Sequence, residues 1–578
     1  MAKKKSKENY ITQTTLISEY DLTKKLIDRF FPEPVLKRVS RNPKVPPIRM
    51  WPESTVNDVL NHSKELKVIL KKNKARKDAQ AKRAKNAESF LNSFSPEMLY
   101  EEGKNLSRRF VLHVGPTNSG KTYDAIQALK SAESGVYLGP LRLLALEMFE
   151  TLNMDECPCD LLTGEEYEGV PFSRITASTI ELCDFSKHYK VGVIDEAQMI
   201  ADPFRGANWT KAICLLDAEE IHVCLAPQAL NLIKSMLRKM EAPFEVVNHE
   251  RLVPLEYAGV FRNMSEVEPG DALIAFSRKN VLNLAAHLER SGIKASVIYG
   301  ALPPAARREE VRRFAAKETT VVVATDAIGM GISLPIRRVI FIDSSKFDGE
   351  ERRPLNPSEI KQIAGRAGRF GKYDLGEVLT MADPQLIAQG LETDIPQIDK
   401  LIIAFPQEAV TYNYPLSKML AQWNGLPEDS TFRRADMRDA QFLLMTLGGF
   451  ASNVSKEFIY NLITCPVDVK NTELVGYWKD CCVSLIRGGT APRPDFPTDD
   501  LEGCELQYRA FDVYHQLMRR IGVEDDCMRE KEALCSKIND FLKNEKSDYL
   551  KRCRRCGRIL PAKIQYGLCE KCYRASFW

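Results

Sequence analysis

The run Phe110-Val-Leu-His-Val114 leads directly into Gly115-Pro-Thr-Asn-Ser-Gly-Lys-Thr122, and the helix-forming stretch Tyr123–Lys130 follows. An apolar strand, a loop of small residues ending in Lys-Thr, then a helix is the order that a phosphate-binding loop requires. Small residues let successive backbone N–H groups curl around a phosphate at a helix N-terminus, where the helix dipole favours negative charge. In that arrangement Gly115, Pro116, Thr117, Asn118, Ser119 and Gly120 cradle a nucleotide. Lys121 is expected to neutralise β/γ-phosphate charge, and Thr122 to ligate Mg²⁺.

Outward from this loop, short apolar runs alternate with helical stretches. Gly135–Leu138, Val191–Ile194 and Ile221–Cys224 complete a first series with Phe110–Val114. Ala272–Phe276, Ala295–Tyr299, Thr320–Ala324, Arg338–Ile342 and Gly376–Met381 form a second. Continuous apolar strands between helices indicate parallel sheets covered on both faces. The expected fold is therefore α/β, with two tandem lobes and a junction near Pro254–Glu256. Five regions are expected: a helical basic segment 1–104, a nucleotide-binding lobe 105–255, a second lobe 256–385, a mostly helical domain 386–548 and a Cys-rich tail 549–578. Within the first, Val56–Phe94 contains no Pro or Gly and reads as one long exposed helix.

Two further motifs carry chemistry. Val191-Gly-Val-Ile-Asp-Glu-Ala-Gln198 is an apolar strand ending in adjacent acids. There Asp195 can reach the Mg²⁺ shell and Glu196 can aim at an attacking water, the positioning that phosphoryl transfer needs. Gln362-Ile-Ala-Gly-Arg-Ala-Gly-Arg369 lies in the second series. Arg366 and Arg369 are three apart and share one face if helical. Gly365 and Gly368 would leave that face open, so the arginines can act as fingers on a nucleotide held by the other lobe.

In this order, the three motifs resemble those of superfamily 2 helicases, which implies that the two lobes are RecA-like. Gly139-Pro-Leu-Arg-Leu-Leu-Ala-Leu-Glu147, the Asp-Glu-Ala-Gln box and Ala324-Thr-Asp-Ala-Ile-Gly-Met-Gly-Ile332 with Pro335-Ile-Arg-Arg338 are similar to the mitochondrial degradosome RNA helicase family and its bacterial relatives. Ala275-Phe-Ser-Arg-Lys279 and Tyr299-Gly-Ala-Leu-Pro-Pro304 support the match, which covers about Arg109–Asp383. The resemblance implies an ATP-dependent helicase or translocase on single-stranded or partly duplex RNA, 3′-to-5′, in RNA processing or decay. It also implies that Pro140, Arg142, Thr176 and Thr179 touch the nucleic-acid backbone from the first lobe, and Ser277, Arg278 and Thr325 from the second. Gln198 would couple nucleotide to lobe closure, Asp326 and Gly329 would line the cleft, and Gln362 would meet the γ-phosphate. No adenine-reading Gln motif precedes the loop, so nucleoside triphosphates other than ATP are also expected substrates. Two alternatives stand beside this reading: a nucleotide-gated RNA clamp or ribonuclease-docking remodeller without unwinding, and a DNA helicase of the same mechanism.

The tail adds Cys553-x2-Cys556-x12-Cys569-x2-Cys572, two thiol pairs with the spacing of a tetrahedral zinc site. So short a segment cannot bury much core, and the metal would supply folding energy. Its eight Lys/Arg against one acid, like the ten against two in Lys64–Ala87, make these the places where a polyanion could sit. Docking of a protein is the alternative for the tail. The other eleven of the 15 cysteines follow no ligand pattern; Cys157, Cys159, Cys481 and Cys482 read as buried thiols, and His222 as a satisfied core residue. No apolar run reaches membrane-span length, and the Lys-rich start has neither a secretory core nor transit-peptide character. The expected setting is cytoplasmic.

Overall fold

The computed structural model describes residues 9–20, 22–38, 46–329, 334–349, 351–544 and, in the tail, 555, 556, 568, 572 and 573. The described residues fall into two compact units, one within Met1–Ser93 plus Thr411–Pro415, the other within Phe94–Val410 plus Leu416–Trp578.

The smaller unit is not purely helical. Strands Tyr10–Thr12 and Val35–Lys37 both pair antiparallel with Ile48–Pro52. Trp51 of that central strand is buried among Leu16, Ile27, Phe31, Val56 and Leu66, and its indole N–H donates to Phe31 O at 3.1 Å. The stretch read as one helix is two, Glu53–His62 and Lys64–Ser93. Ser63 turns to extended backbone between them, and its hydroxyl accepts from Leu66 N at 3.2 Å. A serine competing for backbone donors is the physical reason for the break, with no Pro or Gly needed.

In the larger unit the first sheet has eight strands. In spatial order they are Phe244–Asn248, Arg109–Val114, Ala218–Leu225, Tyr189–Ile194, Gly135–Gly139, Ile175–Thr179, Cys159–Leu162 and Tyr167–Glu168. All neighbours are parallel except the last pair. A second, wholly parallel sheet runs Leu255–Val260, Gly376–Thr380, Arg338–Phe341, Asp271–Ile274, Val321–Ala324, Ala295–Ile298. Most inner strand positions are buried, as parallel strands covered on both faces must be. Only one strand separates Arg109–Val114 from Tyr189–Ile194, so the phosphate loop and the Asp-Glu pair emerge side by side at the same sheet edge. Ligands of open α/β sheets bind at this carboxyl edge.

Beyond the second sheet the chain is mostly helical, with one short parallel pair, Leu401–Ile403 and Phe432–Arg434. The Pro-rich stretch Gly488–Pro497 joins helices Thr472–Ile486 and Leu501–Arg520. That last helix and Met528–Asn544 pack Leu501, Phe511, Cys535 and Ile538 into the same core as Val297 and Val321 of the second sheet. No helix among the described residues is long and apolar enough to cross a membrane.

Candidate nucleotide and nucleic-acid sites

Helix Lys121–Ser131 begins at Gly120, whose φ of 81° only glycine adopts freely, and Asn118 also has positive φ, 59°. These two residues curl the loop. Lys121 is buried and its ammonium donates to Pro116 O at 3.2 Å. Ser119 Oγ is buried without a hydrogen-bond partner. Thr122 Oγ1 donates to Asp195 Oδ1 at 3.3 Å, and Tyr137 OH donates to Asp195 Oδ2 at 2.9 Å. Burial, then the neighbouring Glu196 carboxylate, push the Asp195 carboxyl up to about 6. A buried carboxylate, a hydroxyl beside it, an ammonium and an unsatisfied loop hydroxyl are a donor set that suits a Mg²⁺-bound triphosphate.

Glu196 sits in the left-handed region at φ 51°, a strained position for a residue with a side chain. Its carboxylate accepts from Gln198 Nε2, while Gln198 Oε1 accepts from Ala226 N at 3.0 Å. Trp209 fixes the turn beneath by donating to Asp195 O at 3.0 Å.

From the second lobe, Gln362, Arg366 and Gly329 line the same 1140 Å³ cleft as Pro116, Thr117 and Glu196. The helix here is Pro357–Ala364, so Arg366 and Arg369 lie in the turn after it and not on one helical face. Gly368, at φ 74°, ends the helical path, and a Cβ there would come within 2.8 Å of Gly376. It serves packing against the neighbouring strand. Gly365 does allow a close approach: its Cβ would meet Thr117 at 3.0 Å. Arg366 Nη2 donates to Gly329 O at 2.6 Å. Burial lowers its guanidinium, opposed by the Glu196, Glu147 and Asp195 carboxylates. Asp326 accepts from Lys346 Nζ at 2.9 Å.

Two contacts that no motif announces join the lobes. Asn118 Nδ2 donates to Gly365 O at 2.9 Å. Arg251, in the segment between the two sheets, donates to Thr117 O and Gly365 O, each at 3.1 Å, and also to Ala367 O. A lone arginine in a linker has no periodicity or spacing to mark it.

A family model described as the DEXQ-box helicase domain of Suv3 matches residues 96–249, and one described as the helicase conserved C-terminal domain matches 256–371. The chain carries a Suv3-like DEXQ-box helicase domain followed by a helicase C-terminal domain. The Asp195-Glu196-Ala197-Gln198 turn is its DEXQ box. Relatives include the mitochondrial ATP-dependent RNA helicase SUPV3L1 of Gallus gallus, 36% identical over 404 residues, 65% of this chain and 50% of that protein. The mitochondrial DExH-box ATP-dependent RNA helicase DExH16 of Arabidopsis thaliana is 42% identical over 54% of this chain and 56% of its own length. The Homo sapiens SUPV3L1 is 42% identical over 50% and 38%. The chain thus spans about half the length of these relatives. Their mitochondrial names overturn the cytoplasmic expectation. That expectation rested on the composition of the first residues.

A second groove, of 900 Å³, lies on the Suv3-type core. Pro140, Arg142 and Thr179 line it, with the Gly300–Pro304 loop, Arg307 and the helix Leu501–Arg520 opposite. Thr176, Ser277, Arg278 and Thr325 do not line it. Thr176 is held within its strand, paired to Val136 and Asp160. Ser277 caps helix Arg278–Arg290, and the buried Thr325 hydroxyl accepts from Ala327 N at 3.2 Å. Arg278 instead faces Glu505, 3.1 Å away, on the C-terminal helix. Arg142 likewise pairs with Glu165, which the buried Lys531 also meets at 2.7 Å, together with Asp512. Tyr508 OH donates to Glu165 at 3.0 Å and Gln516 to Gly164 O at 2.9 Å. None of this C-terminal framework is visible as a motif.

Cys157, Cys159, Cys481 and Cys482 are buried thiols, as read from sequence. Of the tail cysteines, Cys553 and Cys569 lie outside the described residues; Cys556 is exposed and Cys572 buried.

Proposed function

We propose that this chain is an ATP-dependent RNA helicase that hydrolyses nucleoside triphosphate between its two lobes to move along and unwind RNA. The observation that carries the reading is the convergence on one cleft of Pro116 and Thr117 of the loop, Glu196 and Gln198 of the box, and Gln362 and Arg366 of the second lobe. Thr122 and Asp195 would hold Mg²⁺, which supplies charge neutralisation across the phosphates. Lys121 turns from Pro116 O to the β/γ-phosphates. Glu196 orients the attacking water and takes its proton, while Arg366 and Arg369 offset charge that develops in the transition state.

RNA would lie in the second groove, where Arg307, Arg519 and Arg520 supply cations for phosphates. The relatives are named RNA helicases, which favours RNA over DNA as track, and mitochondrial, which favours that compartment. Movement would be 3′-to-5′, the role RNA decay with a ribonuclease partner, and the four tail cysteines would hold zinc. The tail cysteines support zinc by spacing alone.

The test is steady-state ATPase activity with and without single-stranded RNA or DNA, followed by strand displacement, with Lys121→Ala as control. RNA-stimulated turnover with displacement supports the helicase. Stimulation without displacement moves the chain to a clamp, and stimulation by DNA alone changes the track.

A further inference from the structure

Behind the phosphate loop, three imidazoles and two carboxylates form a continuous chain that the helicase chemistry leaves unused. His222 Nε2 lies 2.7 Å from Glu220 Oε1, and His222 Nδ1 lies 2.9 Å from His113 Nε2. His113 Nδ1 then meets His249 Nε2 at 3.0 Å, and His249 Nδ1 faces Asp124 Oδ2 at 3.8 Å. Each link dictates the next. Glu220 can only accept, so His222 presents N–H at Nε2 and a lone pair at Nδ1. His113 must therefore donate through Nε2, which leaves its Nδ1 lone pair directed at His249. If His249 carries its proton on Nδ1, the nitrogen that faces the Asp124 carboxylate, its Nε2 lone pair opposes that of His113 Nδ1 at 3.0 Å. Two acceptors then face each other, and the arrangement calls for a cation between them, with the Asp124 carboxylate at hand.

We propose that His113, His249 and Asp124 form a binding site for a divalent transition metal of the zinc type, separate from both the nucleotide's Mg²⁺ and the cysteine tail. One ligand atom from each of the three lies within 4.8 Å of the others. Two Zn–N bonds of about 2.0 Å at a tetrahedral angle span roughly 3.3 Å, close to the ring-nitrogen separation here. Behind the ligand His113 stands the histidine–carboxylate pair His222–Glu220, the kind of outer support that fixes a metal-bound imidazole's tautomer. His113 and His222 are buried, whereas Asp124 is exposed, so a metal can enter from the Asp124 side. A fourth position would be filled by water.

The site has mechanical reach. His249 N donates to Val114 O at 2.7 Å, and a Cβ on Gly115 would come within 2.6 Å of His249 O. Asp124 lies in the first turn of helix Lys121–Ser131. Metal binding would tie that turn to the end of strand Phe244–Asn248 and so restrain the phosphate loop.

The experiment is metal analysis of the full chain after chelator stripping, reloading with Zn²⁺ and gel filtration. It is run on wild type, on Asp124→Asn at an exposed position, on His249→Gln, and on Cys553→Ser/Cys556→Ser to remove the tail's contribution. The cysteine variant should retain one equivalent, and adding Asp124→Asn or His249→Gln to it should remove that equivalent. Co²⁺ bound to the cysteine variant should show ligand-field bands without thiolate charge transfer. A cysteine variant that binds no Zn²⁺ or Co²⁺, or one whose metal survives both further substitutions with the melting temperature unchanged, overturns the site.

Discussion

Arg251 donates to Thr117 O at 3.1 Å, so a residue of the interlobe segment holds the phosphate loop by its backbone. The same nitrogen reaches Gly365 O, and the other reaches Ala367 O, in the turn that carries Arg366. The phosphate-binding and arginine-bearing elements are therefore registered through one planar fork. Burial lowers this guanidinium to about 10, so it remains charged at neutral pH. Arg251→Ala should reduce kcat for RNA-stimulated ATP hydrolysis roughly 10- to 100-fold, the scale of a misplaced catalytic group. Arg251→Lys should recover only part, because a point charge cannot serve three carbonyls in the fork geometry. Unchanged kcat in a folded Arg251→Ala variant would remove the coupling role.

Glu196→Gln should lower kcat about 100-fold or more, the usual contribution of a positioned base, while nucleotide still binds. Equilibrium binding of a labelled nucleotide beside single-turnover hydrolysis separates the two. Binding lost together with hydrolysis would assign Glu196 to holding the nucleotide.

Lys531 is almost fully buried between Glu165 and Asp512, and its ammonium lies 4.7 Å from the Tyr508 ring centre. Lys531→Ala leaves the buried Glu165 and the partly exposed Asp512 with Arg142 as their remaining cation, and breaking such a network costs up to about 3–5 kcal/mol. A denaturant or thermal melt should show that loss. A change below about 1 kcal/mol would mean that water reaches the carboxylates and the network contributes little.

Glu505 lies between Arg278 and Tyr299, with Glu502 and Arg509 nearby on its own helix, and burial raises its carboxyl to about 7. A raised acid binds its proton more tightly in the folded state. Its contribution to stability is full at pH below about 4.5 and declines as pH climbs to about 7. Above that, ionised Glu505 holds Arg278 as an ion pair. Glu505→Gln should therefore flatten the dependence of stability between those pH values. A slope equal to wild type would place the titration elsewhere.

Much of the core was legible because local pattern and tertiary role coincide. Phe110–Val114 is continuous apolar sequence and forms a buried parallel strand; the loop after it needs Gly120, and its place before a helix is dictated by Lys-Thr and the helix formers beyond. In Cys159–Leu162 and Ile175–Thr179, Asp160 and Thr176 interrupt the apolar run and mask the strands, and pairing with neighbours outweighs that local composition. Arg366 and Arg369 fit a helical spacing, yet the helix stops at Ala364, and Gly368 beyond it packs against the strand at Gly376.

By itself the sequence determined the class of fold and the order along the chain of the Gly115–Thr122 loop, the Asp195–Gln198 box and the Gln362–Arg369 segment. These depend on residues adjacent in the chain, whose spacing sets strand, loop and helix directly. Only the tertiary structure decided that Arg251 spans the two lobes, that Glu505 and Glu165 engage Arg278 and Arg142, and that three distant histidines form one chain. Such contacts join positions tens to hundreds of residues apart. They depend on how sheets and helices pack, and no local spacing encodes that.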